Sequence, residues 1–392
     1  MSILHVDLNS FFANCTIAAS GGKYSFDTPL IITGEPDKRR GVVLAATYPV
    51  KKKGVSAGMP IIKALERCPE AILAKSEFRL YEKYSDKFIN ILSEYSPVVQ
   101  RYGIDEAYLD YSGCEHLFGT PEQAANSIRE RIKKELGLTV SVGVGNSMIM
   151  AKMGSDYKKP DAVTVLDDEK WMELIWPLPA GRLMYVDSST KNRLSALGIV
   201  SIGDLAAADP EFLKTQFGVS GLNMWENAHG RDKTQISSEP SRAQGVNCSM
   251  TLPENITNTD DLDAVLLLLV EKAAYRMRCI GMRAGLVGVQ LRFSDFSECS
   301  RQVSLSVNTD VTDELFEAAR PLSRALMRGK PVRLVGVRLS KLQAAEQTSL
   351  FPDPGRERAR KRDICMDELR KRFGNGIIKR ASTLKPMLFD DE

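Results

Sequence analysis

Histidine is almost missing from this chain, with three residues in 392: His5, His116 and His229. That scarcity argues against His-based triads and His-rich metal sites, and leaves carboxylates and lysines as the groups able to do chemistry. The seven cysteines are odd in number and scattered, with no CxxC pair, so neither a zinc site nor a disulfide framework is expected. Thiols left free throughout suit a reducing, cytoplasmic compartment. Long apolar runs are absent too. The longest, Ala264 to Val270, is far too short to cross a bilayer, so no membrane partner is expected. The start, MSILHVDLNSFF, has neither the basic residues nor the apolar run of a signal peptide. Nor is there a strong charge of one sign. At +3 the chain does not announce nucleic acid, and any basic surface must come from local asymmetry.

What is present is an ordinary soluble composition, 43% hydrophobic and 26% charged. The length allows about two or three domains. MSILHVDL predicts a strand with Ile3, His5 and Asp7 on one face and Leu4, Val6 and Leu8 on the other. LIITGEPDKRRGVVLAATY predicts two short strands around a turn rich in Gly, Pro and Asp. Residues 79–95 predict a helix striped by Leu80, Tyr84, Phe88, Ile91 and Tyr95, and 122–136 another striped by Ile128, Ile132 and Leu136. TVSVGVG and AVTVL predict buried strands, so the first 166 residues mix strands and helices around one sheet. From 167 onward, short amphipathic stretches broken by glycine predict helices, and SSEPSRAQG at 237–245 reads as a linker.

A fresh pattern follows the linker: QGVNCSMTL, a helix striped by Leu262, Leu266, Leu269, Ala273, Met277 and Ile280, then GLVGVQLRF, RQVSLSV, a second helix at 311–328 and VRLVGVRLSKL. That order is β-α-β-β-α-β, a two-layer unit with one sheet face covered by helices. The fold class is therefore α+β and multidomain. The uncovered face should present Arg292, Gln302, Ser304, Arg338 and Ser340. A solvated face is the plain reading; Arg with Ser and Gln, and no intervening acids, would also suit phosphate contacts. The tail from 342 is polar, Pro-containing and partly basic (RERARKR), which predicts a mostly flexible segment with at most a short helix around Met366 to Phe373.

GIDEAYLD, residues 103–110, sets Asp105 and Glu106 side by side among core residues. Two close, unpaired carboxylates are costly, and a divalent cation removes that cost. Hard oxygen ligands with room for water and phosphate describe a magnesium site. Asp7, near the end of the first strand, supplies a third carboxylate; if the two strands are neighbours, the three converge in the arrangement used for two-metal phosphoryl transfer. The competing reading is that Asp105 and Glu106 cap a turn while Asp7 pairs with a lysine. Residue chemistry alone leaves both open.

Taken in order, HVDLNSFFA, AATYPVKKKGV, GIDEAYLD, SVGVGNSMIMAKMGSD and KKPDAVTVL resemble the Y-family DNA polymerases, the translesion class, and among them the bacterial polymerase IV branch. The resemblance covers about residues 1 to 351. It implies a right-hand polymerase: palm at 1–10 and 77–166, fingers at 11–76, thumb at 167–233, a linker at 234–240, a little finger at 241–341 and a flexible tail at 342–392. It implies that Asp7 and Asp105 bridge two Mg²⁺ ions, that Glu106 holds the ion activating the primer 3′ oxygen, and that the Leu8 carbonyl completes the other site. Phe12 matches the steric gate against ribonucleotides, with Phe11 packed below the sugar. Tyr48, Lys51 and Lys159 match the positions that hold the triphosphate of a dNTP. Primer-template DNA would meet the open face of the little finger at Arg292, Ser304, Arg338 and Ser340. QTSLF, with Gln347, Leu350 and Phe351, is similar to the segment with which bacterial polymerases bind the sliding clamp. A cytoplasmic monomer without a proofreading domain is implied.

Three positions depart from that pattern. Lys51 stands where arginine is common and loses the bidentate fork. Asn9 replaces the second acid of a frequent D-x-D start. VDSST, 186–190, replaces the glycines of the first thumb hairpin, while FGVSG, 217–221, could supply a second. The rival readings are a nucleotidyl cyclase, a catalytically silent DNA- and clamp-binding scaffold, and a polymerase V-like subunit that needs accessory proteins. A cyclase needs no DNA-gripping domain, and a silent scaffold is expected to have lost the acids that stand here.

Overall fold

The computed structural model describes residues 2–34, 41–232, 235–238, 243–344, 354–374 and 377–383. The chain divides into two units, Met1–Pro240 and Ser241–Glu392. The first begins with β1 (Ile3–Leu8), α1 (Phe11–Ala19), β2 (Leu30–Thr33), β3 (Ala45–Ala46), α2 (Tyr48–Lys52), α3 (Ile61–Arg67), β4 (Ile72–Lys75) and α4 (Phe78–Ser93). It continues with β5 (Val98–Arg101), β6 (Glu106–Asp110), α5 (Glu115–Phe118), α6 (Pro121–Leu136), β7 (Val140–Gly145), α7 (Met148–Tyr157), β8 (Val163–Val165) and α8 (Asp168–Lys170). Four further helices close it: α9 (Ser188–Ala196), α10 (Ile202–Ala207), α11 (Pro210–Phe217) and α12 (Val219–Ala228).

The central sheet runs β5-β6-β1-β7-β8, with β1 antiparallel to both neighbours. Strand alternation divides its residues as the sequence predicts. Leu4, Val6 and Leu8 join Ala107, Leu109, Val140, Val142 and Val144 in a core covered by Phe88 and Ile91 of α4 and Ile128 and Ile132 of α6. A capping box starts α6, with Gln123 N–H donating to Thr120, and Gly137 ends it in the left-handed conformation. The opposite face carries His5, Asp7, Glu106 and Tyr108.

Helix α7 covers part of that second face at very short range. A Cβ on Gly143 would lie 1.9 Å from the Ala151 carbonyl oxygen, and one on Gly145 would lie 2.5 Å from the Met150 Cβ. Only glycine permits this approach. It fixes Lys152 and Ser155 over the carboxylates. The small sheet β3-β2-β4 has its own cluster around Val43, Val50, Ile61 and Ala64. The closing helices pack around Trp171, Leu194, Leu205 and Leu213.

The second unit contains β9 (Gly245–Ile256), α13 (Thr259–Cys279), β10 (Met282–Phe293), β11 (Glu298–Thr309), α14 (Thr312–Met327), β12 (Val332–Ala344) and α15 (Pro354–Phe373). The order is the expected β-α-β-β-α-β, in a fully antiparallel sheet β11-β10-β12-β9. Val287, Val289, Leu291 and Phe293 are buried under the helices. Ile280 falls outside the expected stripe at 46% exposure, because α13 ends at Cys279. Val303 and Val307 sit on the edge strand and stay exposed.

The expectation of a flexible tail is overturned for residues 354–373. They form a 20-residue helix, docked on α13 and on the start of α14. Asp363, 2% exposed, accepts the Thr312 N–H at 2.7 Å, so it caps the first turn of α14. Arg278 of α13 pairs with Asp367 at 2.6 and 3.0 Å, and Arg360 pairs with Asp310 at 2.9 Å. Arg370 and Arg380 both reach the buried Glu271. The inner face of α15 is charged rather than apolar, so a search for a hydrophobic stripe cannot find it.

Candidate active site

Strand pairing sets Asp7 directly opposite Glu106, and the Leu8 N–H donates to the Asp105 carbonyl at 2.9 Å. Asp105 sits just ahead of β6, at the mouth of the strand. The neighbouring-strand condition for convergence is met. A nitrogen of His5 and carboxylate oxygens of Asp7 and Glu106 lie within 4.8 Å of one another, the one such group of metal-binding side chains among the described residues.

Two lysines enter this cluster. Lys152 donates to Asp7 Oδ2 at 3.1 Å and to Glu106 Oε2. Lys159 Nζ lies 2.9 Å from Asp7 Oδ2 and 2.8 Å from Asp156 Oδ1. Asp7 therefore does pair with lysines, and Asp105 is not among the groups whose ligand atoms meet within 4.8 Å, although the charges of Asp7 and Glu106 reach it. His5 is fully buried, with Nδ1 2.7 Å from Ser155 Oγ and Nε2 3.4 Å from Glu106. Burial holds its imidazole below the ordinary range.

The two adjacent acids are driven apart. Burial, then the charges of Asp7 and Glu106, push the Asp105 carboxyl up to about 6. Burial works against the Glu106 charge too, but hydrogen bonds with His5 and Lys152 outweigh it and hold Glu106 down at about 2. For Lys152 burial opposes the ammonium, yet Asp7, Asp156 and Glu106 keep it above the ordinary lysine range. One carboxylate is satisfied by its neighbours and the other is not. A donor set of hard carboxylate oxygens fits a divalent metal of the oxygen-loving kind.

The expected nucleotide-binding residues gather beside Asp7. The Lys51 ammonium lies 4.8 Å over the Tyr48 ring. Burial and then the Lys159 ammonium hold Lys51 below its ordinary range, while Asp7 and Asp105 act the other way. Phe12 stacks on Tyr81 at 4.5 Å and 17°, and Phe78 braces it edge-on at 5.8 Å. Phe11 is 3% exposed and belongs to the core.

Sequence reasoning missed Lys152, Ser155, Asp156 and the role of His5. Their signal was the GVG of β7 followed by a helix, since a close helix places its i and i+3 residues on the strand residues beneath. Asn9, which replaces the second acid of the D-x-D start, is buried and ties three segments together: it donates to Ser141 Oγ at 3.0 Å, accepts the Asp161 N–H at 2.9 Å and accepts through its carbonyl from Asn14.

In the second unit, Arg292, Gln302, Ser304, Arg338 and Ser340 do share the open face with Gly288 and Gly336. The expectation that no acid intervenes is corrected: Glu298 pairs with Arg292 across the β10–β11 ladder, and its Oε1 accepts from Arg292 Nε at 2.6 Å. Ser304 accepts from Lys341 at 3.2 Å. Gln347, Leu350 and Phe351 lie outside the described residues.

In the first unit, VDSST opens α9 instead of forming a hairpin, and FGVSG is the tight turn between α11 and α12, with Gly218 at φ 66°. Among the described residues no helix is long and apolar enough to cross a membrane.

Family models place the chain directly. The impB/mucB/samB family model matches residues 6–156, and its C-terminal domain model matches 243–350. The chain belongs to the Y-family DNA polymerases. It is 35% identical to DNA polymerase IV of Acetivibrio thermocellus over 98% of this chain and 97% of that one. To DNA polymerase IV 2 of Bacillus subtilis it is 36% identical, covering 97% and 94%. A solved Y-family DNA polymerase chimera superposes with a TM-score of 0.78 at 25% identity, covering 88% of this chain and 100% of that one. The Y-family polymerases are metal-dependent, and this chain is a DNA-directed DNA polymerase of the translesion class.

Proposed function

We propose that the chain extends a primer by nucleotidyl transfer at the Asp7–Asp105–Glu106 cluster, with two Mg²⁺ ions as its cofactors. The register that sets Asp7 against Glu106, with Asp105 beside them, carries this reading. Asp7 and Asp105 would hold both ions, Glu106 would hold the one that activates the primer 3′ oxygen, and the Leu8 carbonyl would serve the other. When bound, the ions lower the charge on the attacking and leaving oxygens. The primer 3′ oxygen forms a bond to the α-phosphorus of the dNTP, and the bond to pyrophosphate breaks. Tyr48, Lys51 and Lys159 hold the triphosphate; lysines neutralise it as point charges. Phe12 stands where a 2′-hydroxyl would collide with its ring, while Phe11 supports the floor from within the core.

The hand follows the same proposal, with palm at 1–10 and 77–166, fingers at 11–76, thumb at 167–233 and little finger at 241–341. The open little-finger face meets the duplex backbone through Arg338, Ser340 and Ser304, and through Arg292 once Glu298 releases it. Gln347, Leu350 and Phe351 dock on the sliding clamp, and the enzyme acts as a cytoplasmic monomer of low fidelity.

Primer extension on a primed template with Mg²⁺ and dNTPs, beside Asp105→Asn, is the test. Extension by the wild type and none by the variant supports the site. Binding of DNA and clamp without extension would favour the silent-scaffold reading, to which the changes at Lys51 and in the thumb segment point, or the accessory-dependent reading, to which the extended tail points.

A further inference from the structure

Lys152 lies where no metal-ligand scheme puts it. Its ammonium touches Asp7 Oδ2 at 3.1 Å and Glu106 Oε2, and stands 3.6 Å from Asp156 Oδ2. Three carboxylates surround one cation, and the side chain is 14% exposed, so water contributes little to its solvation. We propose that Lys152 is the resident cation of the carboxylate site: it bridges Asp7 and Glu106 while no metal is held, and it must vacate that position for the first divalent ion, so it sets the affinity for that ion. The inference rests on the metal-site reading above.

Both cations want the same oxygens. An oxygen-bound Mg²⁺ sits about 2.1 Å from its ligands. An ion at that range would stand beside the ammonium that bridges Asp7 Oδ2 and Glu106 Oε2, with the Lys159 ammonium also on Asp7 Oδ2, and like charges so close repel strongly. One must yield. The backbone of Lys152 cannot move aside, because α7 is seated on Gly143 and Gly145 with no spare space. Its side chain can, through four rotatable bonds. An exit is built one helical turn on. Asp156 projects from the same face of α7, its side chain is 46% exposed, and it already lies near the ammonium. Lys152 can therefore leave the bridge without losing a charged partner.

The consequence is a competent fraction below one. A site that must first be vacated binds with an apparent affinity reduced by the vacated fraction. Neutralising Lys152 removes that reduction. A purely structural lysine would do the opposite, since its loss would let the two carboxylates repel and distort the site.

The experiment uses the full chain without DNA or nucleotide, and Mn²⁺ as the probe, with free Mn²⁺ read by electron paramagnetic resonance. Lys152→Met should bind Mn²⁺ at least about threefold more tightly than the wild type. Lys152→Arg keeps the competing charge and should not tighten binding. Asp105→Asn reports on the site itself and should weaken it. A second measurement needs no variant: acetylation of the Lys152 amine in the wild type, followed by mass spectrometry, should be faster with Mn²⁺ than with chelator. Unchanged or weaker Mn²⁺ binding by Lys152→Met, with Asp105→Asn still defective, overturns the inference and leaves the metal site standing. Mn²⁺ binding by Asp105→Asn equal to that of the wild type overturns the metal site and the inference together. Should Lys152→Met not fold, the acetylation decides alone, and an unchanged rate counts against the inference.

Discussion

Asn9 Oδ1 holds the backbone N–H of Asp161 at 2.9 Å, linking the end of β1 to the segment that carries Lys159. This is how the sheet positions Lys159, the lysine proposed to hold the triphosphate, which lies 150 residues further along the chain from Asn9. Asn9→Ala should leave that N–H and Ser141 Oγ without their partner, costing about 1–3 kcal/mol of stability. Because the freed segment carries Lys159, the KM for dNTP should rise more than kcat falls. Urea unfolding and steady-state extension measure the two effects; a stability loss with unchanged KM would separate Asn9 from nucleotide binding.

The raised Asp105 carboxyl gives the metal-free protein a pH signature. Its folded value of about 6 lies above the ordinary 3.8, so the folded state binds this proton more tightly than the unfolded chain. Stability is therefore lost as pH rises from 3.8 through about 6, and the loss is complete above that. With chelator present, Asp105→Asn should stabilise the protein by up to about 3 kcal/mol near pH 8 and by much less near pH 4. Glu106 acts oppositely and in a different window. Its value of about 2 adds stability present above 4.5 and lost as pH falls through 2. Thermal unfolding across pH distinguishes them, and an Asn variant equally stabilised at both ends would refute the Asp105 assignment.

Phe12, the proposed gate against ribonucleotides, is braced on two sides, stacked on Tyr81 and edge-on to Phe78. Phe12→Ala should raise incorporation of rNTPs relative to dNTPs by about 100-fold or more, a steric exclusion of roughly 3 kcal/mol. Single-nucleotide incorporation with matched rNTP and dNTP gives the ratio. Tyr81→Leu should give a smaller rise, because the ring remains but loses its support.

Residues whose partners are near in the pattern were legible in the sequence. Alternation in MSILHVDL placed Asp7 on a face apart from the core, and the apolar stripes of α4 and α6 located the covered side of the sheet. The ferredoxin-like order of the second unit was readable for the same reason. Lys152 and Ser155 were not, because GVG before a helix signals a close contact without saying which helix residues face the carboxylates. Glu298 was missed because it begins its strand, outside the alternating segment that was read. Helix α15 was missed because charge pairing, not apolar periodicity, docks it.

That docking makes the C-terminal helix a part of the second unit's stability. Asp363 accepts the Thr312 N–H, and Arg380 Nη2 and Arg278 Nη1 lie 3.4 and 3.7 Å from its carboxylate. Asp363→Ala removes a buried charge and leaves two half-buried arginines and a helix N–H short of a partner, at a cost of about 2–5 kcal/mol. Truncation at residue 353 should be worse, since Glu271 and Asp310 would lose their arginines together. Limited proteolysis and urea unfolding of the full chain check both. A truncated chain that melts like the intact one would show that α15 is an accessory, as the sequence had led us to expect.

The start of α9 bears on how strongly the helical region meets DNA. Uncapped helix N-termini attract phosphate through their free N–H groups. Here Asp187 accepts the Thr190 N–H at 2.7 Å, and that backbone hydrogen bond holds its carboxyl below the ordinary range. Just before it, Tyr185 adopts φ 70°, a conformation more usual for glycine, and its side chain is 71% exposed. The chain thus fills with its own carboxylate a position that would otherwise welcome a phosphate. Asp187→Asn keeps a capping oxygen and removes the charge, so the melting temperature should hold while affinity for primed DNA rises several-fold at low salt. The gain should shrink as salt increases, because counterions screen the same field. Asp187→Ala should gain DNA affinity too but melt earlier, having lost the cap. Fluorescence anisotropy at two salt concentrations decides it: if the Asn variant binds DNA as the wild type does, the N-terminus of α9 does not approach the duplex.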